Sequence, residues 1–253
     1  MTADKKPQVL FLWLLLAVTA GLAFSQSAYF TVRTVRITGL RQLTQEEVLA
    51  VGGLSLPANV FSVNTRAVAE RLADYPPVAG VRVVRRLPAQ LRIDLRERQA
   101  IGVLPYGEHF LLFDGAGVPF AIRQAAQARN LPVVTGCRLA PVRLGKPAQG
   151  EDLRWVAAVL QSLPSSLYRR VVGVEVGRGL TLTMTLDNGS RAWLGSRHQI
   201  EEKLGLLQSI LTEAEANDWP IKEIDLRDPE RPYLRKGGGE TGETQGRVDG
   251  EPN

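Results

Sequence analysis

A long uncharged stretch lies near the start of the chain. No charged residue occurs between Lys6 and Arg33, and residues 9–30 are apolar at first and end in two aromatic side chains. A helix needs about 20 residues to cross the ~30 Å hydrocarbon core, and aromatic residues favour its boundary. The pattern predicts a transmembrane helix over 9–30. The flanking charges are nearly balanced, and residues 1–8 are placed in the cytoplasm, with the rest of the chain outside, because this tail is too short to be a functional domain. A signal peptide cleaved at the small residues 25–28 is the alternative.

Residues 31–98 show the pattern of one small sheet with helices on one face. A short strand containing Val35 is followed by a capping box, which opens a helix at Thr44. Asn64 is placed to cap a second helix, and two proline residues follow that helix. Two strands within 78–96 then form a hairpin. The order strand, helix, helix, strand, strand predicts a single α+β domain.

The second strand of that hairpin has strictly alternating side chains. Its charged face consists of Arg92, Asp94 and Arg96, opposite three aliphatic residues. The simplest interpretation is a solvated sheet face, and a partner-binding face is the alternative.

Residues 99–235 alternate short apolar strands with turns and two amphipathic helices, which predicts a mostly antiparallel β domain with flanking helices. Asp114-Gly115-Ala116-Gly117 has the composition of a hairpin turn. Asn188-Gly189 is a strong hairpin signal, and a two-residue turn there would pair Met184 with Trp193.

The last apolar strand spans residues 221–227. From Lys236 onward the chain is glycine and charged residues with almost no apolar content. Such a segment cannot bury enough surface to fold, so residues 236–253 are predicted to be a disordered tail.

Composition and candidate chemistry narrow the functional classes. The chain has 253 residues, is 44% apolar and carries a net charge of +5. No compact Lys/Arg run with interleaved aromatic residues occurs, so a nucleic-acid partner is not expected. Cys137 is the only cysteine, and the two histidines, His109 and His198, have no metal-like neighbours in sequence. Without a nucleophile–base set, a phosphate loop or a zinc motif, we expect no enzyme activity, no cofactor and no small-molecule substrate.

The ordered set of motifs over residues 8–235 resembles the FtsQ/DivIB family of cell-division proteins. The segments that resemble its POTRA domain are Val35-Arg36-Ile37-Thr38-Gly39-Leu40, Asn59-Val60-Phe61-Ser62-Val63 and the hairpin from Pro77 to Arg98. Those that match the order of its β domain are Phe113 to Phe120, Leu131-Pro132, Asn188-Gly189, Leu194-Gly195 and Ile224-Asp225-Leu226-Arg227.

The resemblance implies a single-pass scaffold of the division machinery. Such proteins lie in the cytoplasmic membrane with the N-terminus inside, concentrate at the division septum, bind partners of the FtsB and FtsL type, and help to regulate septal wall synthesis. The competing class is an envelope protein whose POTRA units act as chaperones in polypeptide transport or assembly. Those proteins usually carry several POTRA repeats, whereas this chain shows one.

The segment after the last apolar strand is the candidate docking site. It follows a strand and precedes the predicted tail, so it should lie at a sheet edge where a partner can add a strand. The candidate residues are Arg227, Arg231, Tyr233, Leu234 and Arg235. The alternative is that Pro229 and Pro232 end the sheet and Tyr233 packs back onto it.

Overall fold

The computed structural model describes residues 6–128, 130–138 and 141–237, with side chains from residue 9 onward. The helices are α1 (Lys6–Ser25), α2 (Gln45–Gly52), α3 (Thr65–Asp74), α4 (Asp152–Ser162), α5 (Ser165–Tyr168) and α6 (Ile200–Ala216). The strands are β1 (Thr31–Val32), β2 (Val35–Thr38), β3 (Ala58–Asn59), β4 (Val78–Arg86), β5 (Gln90–Glu97), β6 (Gly102–Tyr106), β7 (His109–Phe113), β8 (Pro119–Arg123), β9 (Val133–Thr135), β10 (Val171–Gly177), β11 (Thr181–Leu186), β12 (Arg191–Gly195), β13 (Ile221–Asp225) and β14 (Tyr233–Lys236).

The chain divides into two compact units, and each unit consists of three separate segments of the sequence. The first unit comprises Met1–Ala100, Leu111–Ile122 and Ala140–Gln149. The second comprises Ile101–Phe110, Arg123–Leu139 and Gly150–Asn253. The first unit therefore includes two segments that a boundary at 98/99 would assign to the second domain.

Helix α1 is apolar on all sides and its large side chains are exposed. Their exposed fractions run from 49% at Leu15 to 72% at Leu10. The helix ends at Ser25, whose carbonyl accepts a hydrogen bond from the Asn59 side chain, and residues 28–30 form a 3-10 turn. The helix therefore begins before the predicted span over 9–30 and ends before residue 30. No helix among the described residues reaches the length and hydropathy needed to cross a membrane.

The first unit contains the predicted small sheet, in the order β2-β5-β4. The two predicted caps are present, because the Thr44 hydroxyl accepts from the Glu47 N–H and the Asn64 side chain accepts from the Ala67 N–H. Helices α2 and α3 contribute Val48 and Leu72 to a core that is closed by the buried aliphatic residues of β5. The β4–β5 hairpin is also as predicted.

A buried ion pair ties later segments to this sheet within the first unit. The Arg98 guanidinium donates to the Asp114 carboxylate at 2.5 Å and to the Pro76 and Gly145 carbonyls at 3.1 and 3.4 Å. Asp114 also accepts from the Val118 N–H, which closes the turn between β7 and β8. The predicted turn is thus held by a contact that the sequence pattern did not indicate.

The strands of the second unit follow the order β14-β13-β12-β11-β10-β9-β6. The pairs β6–β9, β9–β10 and β12–β13 are parallel, and the others in this run are antiparallel. The prediction of a mostly antiparallel arrangement missed these parallel pairs. Two of these pairs follow from helical connections: α4 and α5 connect β9 to β10, and α6 connects β12 to β13, and a helical crossover returns the chain in the same direction.

The hairpin between β11 and β12 differs by one residue from the predicted register. Met184 lies opposite Ala192, and Thr183 lies opposite Trp193. The Leu186 N–H donates to the Ser190 carbonyl at 2.9 Å, so three residues form the loop. Gly189 takes the left-handed conformation, with φ +79°, as three-residue hairpin loops require. Most of the predicted tail over 236–253 lies outside the described residues, as does most of the predicted tail over 1–8.

Candidate partner-binding edge

Strand β14 is the terminal strand of the sheet within the described part of the chain. Among the described residues β14 pairs with β13 alone, with Asp225 opposite Tyr233, Ile224 opposite Leu234 and Glu223 opposite Arg235. An edge strand presents a row of unpaired N–H and C=O groups, which is a template for another chain. The geometry therefore provides the kind of edge that strand addition needs.

The hydrogen bonds of β13 indicate which main-chain groups of β14 face outward. The Leu226 N–H donates to the Trp193 carbonyl at 2.8 Å, so Leu226 faces β12. Successive residues of a strand point their main-chain groups to opposite sides, so Asp225 faces β14 and bonds its partner Tyr233. The same alternation along β14 turns the main-chain groups of Leu234 and Lys236 toward the open edge.

The side chains of β14 divide between the two faces of the sheet. Leu234 lies opposite the fully buried Ile224 and is half-buried on the same face. Tyr233 lies on the other face and is 61% exposed. Arg235 forms an ion pair with Glu223 across the ladder. The strand therefore offers an exposed aromatic ring beside an open main-chain edge.

The turn between β13 and β14 contains the other candidate residues and both prolines. The Arg227 guanidinium bonds the Asp225 carboxylate, with Nε 3.0 Å from each oxygen. Arg231 is exposed, and its N–H donates to the Asp228 carbonyl. Pro229 lies in the same turn, so it removes no N–H from β14.

Pro232 directly precedes β14. It lies two residues before Leu234, so its main-chain groups face the same side as those of Leu234 and Lys236. Its missing N–H therefore falls on the outward side, where an added ladder would begin. The structure thus groups Tyr233, Leu234 and Arg235 on one strand, and it places Arg227 and Arg231 in the turn beside it. The open ladder available to a partner starts at Leu234.

The ion pair between Arg227 and Asp225 lies at the start of the turn between β13 and β14. A hydrogen bond from the Arg227 guanidinium is the main cause that lowers the pKa of the Asp225 carboxyl below its usual range, and burial opposes it. The same contact raises the pKa of Arg227. At the other end of β14, the Lys236 ammonium lies 3.9 Å from the centre of the Trp219 ring. This cation–π contact holds the end of the strand and was not indicated by the sequence pattern.

The remaining candidate groups are spread over the structure. His109 begins β7 and His198 lies in the turn before α6, and both are exposed. Cys137 is half-buried, and burial together with the Asp152 carboxylate raises the pKa of its thiol to about 12. Asp94 is bonded by Thr38 and Arg92 on the outer face of the first sheet. Among the described residues no three His, Cys, Asp or Glu side chains group as metal ligands.

Two family models match the chain in tandem. The model described as "POTRA domain, FtsQ-type" matches residues 30–98. The model described as "Cell division protein FtsQ/DivIB, C-terminal" matches residues 102–227. β14, which carries the open edge, lies just beyond the second match.

Curated relatives agree with these models. Cell division protein FtsQ of Mycolicibacterium smegmatis is 30% identical over 220 residues, which cover 87% of this chain and 62% of that protein. FtsQ of Mycobacteroides abscessus is 30% identical over 234 residues, which cover 90% of this chain and 70% of that protein. The extracytoplasmic domain of DivIB from Geobacillus stearothermophilus matches 48% of this chain and 97% of that chain at 14% identity, with a TM-score of 0.34. The sequence comparisons alone show that the chain belongs to the FtsQ/DivIB family of cell-division proteins.

Proposed function

We propose that this protein is a divisome scaffold that binds other division proteins, of the FtsB and FtsL type, and links them to septal wall synthesis. The observation that supports this proposal is the open edge of β14, with outward main-chain groups at Leu234 and Lys236 and an exposed Tyr233. Strand addition uses main-chain hydrogen bonds for affinity and alternate side chains for selectivity. No catalytic step is part of the proposal.

The rim of the edge carries charges of both signs, because Asp228 and Glu230 are exposed in the same turn as Arg227 and Arg231. Arg227 and Arg235 are each paired with a carboxylate of β13 and still expose 70% and 54% of their side chains. Arg231 is exposed in the turn between them. Charge at the rim therefore does not select the sign of a partner strand, and Tyr233 would supply the central apolar contact.

The scaffold is further proposed to attach to the cytoplasmic membrane through α1. A helix that is apolar on all sides and exposed is unfavourable in water, because burial in an apolar medium stabilises such side chains. The uncharged stretch between Lys6 and Arg33 supports the same proposal. Alkaline carbonate should leave the full-length protein in the membrane pellet. Release of a form that begins near Ala28 would instead show a cleaved signal peptide.

The docking proposal is tested by capture of an FtsB-like partner with four variants of the intact chain. Truncation after Arg227 and Tyr233→Ala should both weaken capture, whereas truncation after Lys236 should not. Tyr106→Ala is the matched control, because Tyr106 is an exposed tyrosine in β6, away from the β14 edge. Full capture by the first two variants would show that β14 is not the docking strand.

A further inference from the structure

Large apolar side chains are exposed at one end of the first unit. Leu87, at the tip of the β4–β5 hairpin, is 64% exposed, and Phe61, which follows β3, is 47% exposed. Tyr29, in the turn after α1, is 63% exposed. Isolated exposed apolar residues are ordinary, but several at one end of a domain mark an interaction surface.

Contacts within the first unit bring these residues to the end where α1 joins the sheet. The rings of Phe30 and Phe61 lie 5.1 Å apart, and those of Tyr29 and Phe30 lie 5.2 Å apart. The Val60 N–H donates to the Phe30 carbonyl at 2.9 Å. The Asn59 side chain donates to the Ser25 carbonyl, the last of α1, at 2.7 Å. The segment around Phe61 is therefore fixed against the end of α1.

The hairpin tip is held at this same end. The Arg85 guanidinium donates to the Val63 carbonyl at 2.5 Å, two residues beyond Phe61. Val35, the first residue of β2, and Arg85 are both register partners of Leu91. Because β2 follows α1 closely in sequence, the register places the β4–β5 tip beside the chain that leaves α1.

The charge at this end is all of one sign. Segments 24–36, 58–63 and 85–91, which build the surface, contain no Asp or Glu. Their charged residues are four exposed arginines: Arg33, Arg36, Arg85 and Arg86. The surface therefore combines protruding apolar side chains with a rim of guanidinium groups.

We infer that this end of the first unit is a lipid-contact surface, on which Leu87, Phe61 and Tyr29 enter the interfacial layer of a membrane while the arginines bind anionic headgroups. Apolar side chains with a basic rim bind interfaces by both burial and charge attraction. Continuity with α1 favours lipid over a protein partner, because the surface begins at the residue where the proposed membrane-attached helix ends. The inference rests on that proposed attachment, and it adds a second contact that would hold the domain against the bilayer.

The test uses the full chain reconstituted into vesicles and a fluorescent probe that reports its polarity. Leu87→Cys carries the probe, in a background in which Cys137→Ala removes the native thiol. The control is Gln42→Cys, an exposed position in the loop whose N–H groups bond the Glu97 carboxylate. Glu97 ends β5 while Leu87 precedes it, so the two probes lie at opposite ends of a strand about 23 Å long.

Vesicles that contain an anionic lipid should shift the emission of the probe at position 87 to the blue, and brominated lipids should quench it. The probe at position 42 should show neither effect. Arg86→Gln should reduce the ratio of lipid-bound to unbound probe at position 87 by roughly fivefold, and high salt should act in the same direction. Arg41→Gln, a change of the same charge in the distant loop, should leave the ratio unchanged.

The outcomes separate this inference from the proposed attachment. A protein that stays with the vesicles in alkaline carbonate while the probe at position 87 remains in water would overturn the surface and leave the attachment through α1 intact. A blue shift that appears only when a division protein is added, and not with anionic lipid, would show a protein-docking surface and also overturn the inference. Loss of the protein from the vesicles in carbonate, with no shift at position 87, would refute both.

Discussion

The most direct test of strand addition is a pair of substitutions at Leu234. Both Leu234→Ala and Leu234→Pro remove the half-buried leucine side chain, but only proline also removes the N–H. The register turns that N–H toward the open edge, so neither variant removes a hydrogen bond to β13. Edge strands tolerate proline where the missing donor faces outward. The difference between the two variants therefore isolates one outward main-chain donor.

The expected loss of affinity follows from a carbonyl of the partner, which the proline variant would leave without a hydrogen-bond donor. A buried acceptor without its donor costs about 1–3 kcal/mol. At 1.4 kcal/mol for each tenfold change, this corresponds to a Kd roughly 5- to 150-fold weaker for Leu234→Pro than for Leu234→Ala. The alanine variant should itself bind somewhat less tightly than the parent, because a packed apolar side chain is lost.

Isothermal titration calorimetry with an FtsB-like partner measures this difference, and urea unfolding measures the stability of each variant. Arg235→Pro is the control for fold damage, since the Arg235 main chain faces β13 and its N–H belongs to the internal ladder. That variant should lose stability as well as binding. Equal Kd values for the proline and alanine variants at position 234, with both folded, would refute main-chain docking at this edge.

Three further predictions concern stability and reactivity. Arg98→Met leaves the Asp114 carboxylate buried without its cation and should lower the free energy of unfolding by about 3–5 kcal/mol, as measured in urea; an unchanged value would show that the pair is not stabilising. The lowered pKa of Asp225 stabilises the fold above its ordinary value of about 4, and this contribution is lost as the pH falls through the lower folded value. Asp225→Asn should therefore flatten the acid side of the stability–pH curve, which an unaltered curve would contradict. Because the pKa of the Cys137 thiol is raised to about 12, iodoacetamide at neutral pH should modify the native protein far more slowly than the unfolded chain, by mass spectrometry.

Local signals in the sequence predicted much of the first unit. The caps at Thr44 and Asn64 depend only on residues within one turn of the helix they open, so the local sequence is enough to predict them. The hairpin at Asn188-Gly189 was located correctly, but its register was wrong. Loop length there depends on whether Gly189 takes a left-handed conformation after the turn, and the dipeptide alone does not determine this.

Contacts between distant residues were beyond the sequence pattern. Lys203 of α6 is 2% exposed although it is a charged residue, and it donates to the Leu194 carbonyl at 2.9 Å. Helix α6 begins after Gln199, whose backbone is left-handed and whose side chain makes no capping hydrogen bond. In these cases tertiary packing decides what a side chain does, and no periodicity along one element contains that information.

For the candidate docking edge, too, the sequence predicted one part of the structure and contacts between strands determined the rest. The sequence predicted that this segment would lie at an edge, because it follows the last apolar strand. It did not indicate which residues face outward, since that depends on the register against β13 and on the Leu226 bond to β12. The main-chain hydrogen bonds of such a site have no side-chain signature beyond the positions where proline is excluded. Pro229 and Pro232 fall outside β14, and Leu234 and Lys236 keep their N–H groups, so the one constraint that such a site places on sequence is satisfied here.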